Sequence, residues 1–66
     1  MYEDYLNTKE IAQFLGIGRD TVLLLCRERQ HGFPAVRVGR RYQADKEKLR
    51  EWKRAWYAGE FDIKRR

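Results

Sequence analysis

Three observations predict a small α+β domain that is mainly helical. Two short segments with one apolar face each, residues 8–15 and 19–29, are separated only by Gly16-Ile17-Gly18. Pro34-Ala35-Val36-Arg37-Val38-Gly39-Arg40-Arg41-Tyr42 alternates apolar and basic residues about a glycine. Leu49, Trp52 and Trp56 then recur at spacings of three and four, the stripe of a closing helix.

The first helix is expected over 8–15. Asn7 is placed as its N-cap and Glu10 stands three residues on, the arrangement of a capping box. Ile11, Ala12 and Leu15 share one face, with Phe14 at its flank, and Gly16 suits the left-handed residue that ends a helix. The second helix is expected over 19–29. Gly18 is its weaker cap, and Val22, Leu25, Cys26 and the stem of Arg29 form its inner face. A three-residue link is too short for an antiparallel bundle and suits a steep helix-turn-helix crossing, with Ile17 as a buried plug.

Gly32 and Pro34 break the helical pattern. Val36 and Val38 alternate with Arg37, and Tyr42 and Ala44 with Arg41 and Gln43, so a hairpin turning at Gly39-Arg40 is expected. One of its faces packs on the helices and leaves the arginines to water or phosphate. Asp45 is the expected cap of the third helix, and Gly59 its end. Residues 60–66 show no period and read as a flexible basic tail. The whole is one domain over 1–66, with a core over about 5–58, and its plan is a small winged helix-turn-helix: helix, turn, helix, two-stranded wing, helix.

Composition narrows the function. A chain of 66 residues buries only about 60% of the surface its unfolded form exposes, so its nine aromatic residues must anchor the core. One cysteine and one histidine cannot supply the four ligands of a structural zinc site. Cys26 reads as a small core filler. No run approaches the roughly 20 apolar residues of a membrane span, and neither a cofactor loop nor a carboxylate pair for catalysis is visible. The expectation is a non-enzymatic protein without cofactor or metal, in a reducing cytoplasm. The net charge of +5 is uneven: residues 1–31 carry −1 and residues 32–66 carry +6. Between residues 29 and 44 there are four arginines and no acid. A polyanion partner explains that stretch, and no helix joins a basic face to a large apolar one as membrane binding would require.

Candidate contacts to double-stranded DNA follow. Arg40 and Arg41 at the hairpin tip suit a narrow minor groove, where negative potential is concentrated, and Arg37 suits phosphate. The bland reading of the three is a charged, soluble turn. On the second helix, Arg19 and Thr21 stand in the first turn, where free backbone N–H groups favour phosphate, and Arg27 reaches for a guanine edge or the backbone. A solvated face with local Arg27–Glu28 pairing is the alternative. Asp20 repels phosphate unless it accepts from a cytosine amino group or a neighbouring arginine. Leu24 points away from the expected core, toward a thymine methyl, the underside of the wing or a second protein. Leu23 is expected to pack. Trp52 and Trp56 read as core rather than as a base-stacking ladder. Lys64, Arg65 and Arg66 are expected to touch phosphate or serve as a solubility tail.

Leu6-Asn7-Thr8-Lys9-Glu10-Ile11-Ala12, Phe14-Leu15-Gly16-Ile17-Gly18, the Pro34–Arg41 wing and the Leu49/Trp52 pair together resemble the excisionase-like helix-turn-helix proteins of the MerR-like winged-helix superfamily. The likeness spans residues 5 to about 53, and the Ile17-Gly18 turn is particularly like the excisionases of conjugative transposons and phages. The resemblance implies a DNA-bending architectural protein of a prokaryotic nucleoid that binds repeated sites, self-associates cooperatively on them and helps a tyrosine recombinase (integrase) excise a mobile element. Relatives of the same fold are transcriptional regulators, which is the second expectation. A protein-interaction adaptor using Leu23, Leu24 and the C-terminal aromatics is the expectation from another class. Leu23 and Leu24 depart from the family, where arginine or tyrosine often stands at those positions.

Overall fold

The computed structural model describes residues 5 to 63. The order is β1 (Tyr5–Asn7), α1 (Thr8–Leu15), α2 (Arg19–Glu28), a single 3₁₀ turn at Gln30–Gly32, β2 (Ala35–Val38), β3 (Arg41–Asp45) and α3 (Lys46–Tyr57). The α+β helix-turn-helix plan with a wing is present, and it carries one strand more than the sequence suggested. β1 pairs antiparallel with β3, so the wing is two strands of a three-stranded sheet of order β1-β3-β2. Three residues are too few to register as an alternating pattern.

The capping box at α1 is complete. The Asn7 side chain accepts from Glu10 N at 2.8 Å, and Glu10 Oε1 accepts from Asn7 N at 3.0 Å. These bonds satisfy backbone groups that a helix start otherwise leaves unpaired. Gly16 ends the helix at φ 70°, its N–H donating to Ala12 O. A β-carbon is strained at that angle, which is why glycine stands there. Asp45 caps α3, accepting from Glu47 N at 2.9 Å and from Lys48 N at 3.4 Å. Lys53 of α3 donates to Phe14 O at 2.8 Å and lies over the rings of Phe14 and Tyr57, tying α3 to the end of α1.

The core is Ile11, Leu15, Val22, Leu25, Cys26, Phe33, Ala35, Ala44, Leu49 and Trp52, with Ile17 packed against it. Ala44 pairs with Leu6 on one side and Ala35 on the other; the two alanines are buried in the core and Leu6 packs against it. The register corrects the expected face of the wing. Arg37 pairs with Tyr42 and so follows Ala35 on the inner face, while Val36 and Val38 turn outward, each 53% exposed. Side chains alternate strictly along a strand, so once Ala35 is buried the valines must face out.

Thr21 also departs from expectation. It is buried with Val22, Leu25 and Cys26 and is no part of an outward recognition face. It precedes Leu25 by four residues, and positions four apart share a helix face.

Residues 60–63 were expected as the start of a loose tail, but Phe61 and Ile63 pack against the core while Glu60 and Asp62 stay exposed. Gly59 takes φ 83° and reverses the chain. Phe61 then stacks on His31, with ring centroids 4.4 Å apart, and meets Trp52 at 5.1 Å. His31 Nε2 lies 2.8 Å from Asp62 O. That contact helps hold His31 at φ 52°, a left-handed conformation uncommon outside glycine. The partners of His31 are thirty residues distant in sequence, beyond any local pattern.

Burial pushes the Cys26 thiol up from 9.0 to about 11. Between those two values the unfolded thiol ionises while the folded one stays protonated. Folding stability is therefore expected to fall as pH rises from about 9 to 11, with the ionisation of Cys26 in the unfolded chain contributing to the loss. Urea unfolding of the chain and of its Cys26→Ala variant across that window tests this: the variant should show a shallower alkaline decline.

Candidate nucleic-acid interface

The outer side of α2, the start of α1 and the wing enclose a groove of about 620 Å³. Arg19, Leu23 and Arg27 form its α2 wall, Asn7, Thr8 and Lys9 its base, and Arg37, Arg40, Arg41 and Tyr42 its wing wall. Six of these residues are cationic and none is acidic. Among the described residues the single ion pair, Arg50 with Glu47 at 2.6 Å, lies on α3 and away from the groove. Among the described residues no carboxylate pairs with a groove arginine. A guanidinium stays charged throughout the physiological range, and six like charges around one hollow repel unless an anion fills it.

The wing is shaped locally. Gly39 adopts φ 63° at the first of the two turn residues, the position glycine takes in a type II′ hairpin. Arg37 Nε donates to Gly39 O at 3.1 Å and so ties its side chain to the turn. Its two terminal amino groups still extend the cationic wall. Arg40 occupies the turn, and Arg41 opens β3 opposite Val38.

Of the residues expected from sequence, Arg19, Arg27, Arg37, Arg40 and Arg41 come together at this groove. Asp20 and Leu24 do not line it. They border a smaller adjoining hollow of about 250 Å³, shared with Leu23 and Arg27. Thr21 faces the core. Lys64, Arg65 and Arg66 lie outside the described residues. Glu28 accepts a hydrogen bond from Gln30 at 3.1 Å, and no Arg27–Glu28 pair forms among the described residues.

Sequence reasoning missed Asn7, Thr8, Lys9, Leu23 and Tyr42. The first three reach the groove because β1 lies beside β3, a pairing of residues 5–7 with residues 43–45 that has no local signature. Leu23 was expected to pack, yet it belongs neither to the core nor to the partly buried apolar residues around it.

A family model described as a helix-turn-helix domain matches residues 5–57. The chain belongs to this helix-turn-helix domain family. The match begins at β1 and runs to the last residue of α3, so it takes in the turn, the wing and every wall of the groove. No curated protein and no solved structure matches the chain. Membership in this DNA-binding family agrees with the cationic groove: the helix-turn-helix domain places its second helix, α2, beside the arginine wing. Among its described residues no helix is long and apolar enough to cross a membrane, and no three His, Cys, Asp or Glu side chains are placed to hold a metal ion.

Proposed function

We propose that this helix-turn-helix protein grips double-stranded DNA with α2 in the major groove and the Arg37/Arg40/Arg41 wing in the neighbouring minor groove. The observation that carries the reading is the groove walled by six cations with no carboxylate among its described lining residues. An α-helix of ten residues is about 15 Å long and enters a major groove about 12 Å wide. A hairpin two residues wide at its tip suits the narrow groove beside it. The role we propose is architectural: an excisionase, or recombination directionality factor, that bends DNA, binds neighbouring sites cooperatively and assists a tyrosine recombinase. The resemblance of residues 5–53 to excisionase-like proteins supports it. The exposed valines of β2 give adjacent copies a surface to meet.

The salt dependence of duplex binding tests the DNA reading. Five to six phosphate contacts from the groove cations predict a slope of log affinity against log salt near −5, at about −0.9 per contact. Slopes indistinguishable from zero on random-sequence duplexes would reject it. The excision role is tested by adding the protein to a recombinase encoded beside it, with the flanking DNA of the element as substrate. Excision that depends on the protein supports the role. Regulation of a promoter without any effect on excision favours a transcriptional regulator of the same binding mode.

A further inference from the structure

Val22, Leu25 and Cys26 fill the buried side of α2. Leu23 and Leu24 do not join them: both are half-buried, and neither packs against the core cluster. Leu23 instead sits where two hollows meet. It lines the large groove with Arg19 and Arg27, and the smaller one with Asp20, Leu24 and Arg27. Arg19 and Arg27 are four residues before and four after it, so each stands about 6 Å away along the helix axis on a similar side.

An apolar knob between two guanidinium groups is ill suited to phosphate, which offers only charge and acceptors. It suits the edge of a base pair. In the major groove, guanine presents two acceptors that match arginine, and the one apolar group any unmodified base presents there is the 5-methyl of thymine. A protein partner would have to leave Arg19 and Arg27 unpaired or bring its own carboxylates to both.

We propose that Leu23 is a specificity-determining residue that packs on the 5-methyl group of a thymine between the bases or phosphates reached by Arg19 and Arg27. The proposal deepens the DNA reading and rests on it. Leu24 and Asp20 flank the contact from the second hollow, and Leu24 backs Leu23 without touching the methyl group itself.

The experiment uses the full chain and duplexes that it selects from a random library. Each thymine of a selected site is replaced in turn by deoxyuridine, which lacks only the methyl group, and affinity is measured at fixed salt. One position per bound copy is expected to lose about fourfold, the contribution of one buried methyl group. Leu23→Ala, a change outside the core, should bind the thymine and deoxyuridine forms equally while keeping the wild-type salt slope. Equal wild-type affinity for every substituted duplex overturns the proposal, and that result requires no variant. So does a penalty that persists in Leu23→Ala, or one abolished by Leu24→Ala alone. Binding with a normal salt slope but no methyl dependence leaves the DNA reading standing and removes only this inference. Absence of salt-dependent binding to any duplex removes both, and turns the leucines toward a protein partner.

Discussion

Replacing Arg40 and Arg41 together by alanine is expected to weaken duplex binding by roughly sixtyfold at 0.1 M salt, relative to a 1 M reference at which the counterion term vanishes. Two lost phosphate contacts flatten the salt slope by about 1.8, and that slope taken over one decade of salt gives the fold-change. Both side chains are exposed, so the thermal transition should move little. Arg50→Ala is the matched control. Its guanidinium is paired with Glu47 at 2.6 Å and stands on α3, so its removal should leave the slope as it is. A double variant that binds with the wild-type slope would mean that the wing does not touch DNA. Arg37→Ala is less clean as a probe, because Arg37 also holds the turn through Gly39 O.

Trp52→Ala is expected to lower the thermal transition by at least about 12 °C. Trp52 is 6% exposed and meets Phe33 edge-on at 4.8 Å, Trp56 at 5.8 Å and Phe61 at 5.1 Å. Removing a large buried aromatic costs about 3 to 5 kcal/mol. A domain of this length has a total stability of only about 3 to 10 kcal/mol. Circular dichroism melting reads the result directly, and a transition within a few degrees of wild type would contradict the packing. Trp52→Phe makes an instructive contrast. The indole Nε1 is buried without a hydrogen-bond partner among the described residues. Phenylalanine removes that orphaned donor while keeping most of the apolar volume, so it should be far milder than alanine.

The elements that declared themselves in the sequence are those whose cause is local. Asn7 with Glu10, Asp45 before the third helix, and the spacing of Leu49 and Trp52 each act within one or two turns, and each stands where expected. Gly39-Arg40 marked the hairpin because a two-residue turn needs a positive φ. What escaped reading depends on distant partners. β1 exists through residues 43–45, and the Phe61 contact exists through His31 and Trp52. The face of β2 was misread because both alternations, valine inward or alanine and arginine inward, are equally regular in sequence. Only the pairing of Ala35 with Ala44 decides between them. Arg37, Arg40 and Arg41 were legible through an acid-free run of charge about a turn, and Arg19 and Arg27 through their places on the second helix. Thr21 was misassigned because its place in the first turn outweighed its four-residue relation to Leu25.

Asn7 is at once the last residue of β1, the cap of α1 and part of the groove floor. Asp45 likewise closes β3 and caps α3 with no residue between. Both passages from strand to helix therefore lack a joint that can swing. A polyanion bound at this groove would meet strands and helices on stiff junctions, and little backbone freedom would be surrendered there on contact. Lengthening either passage by a single glycine would introduce that freedom without removing one charge, and association would weaken through disorder alone.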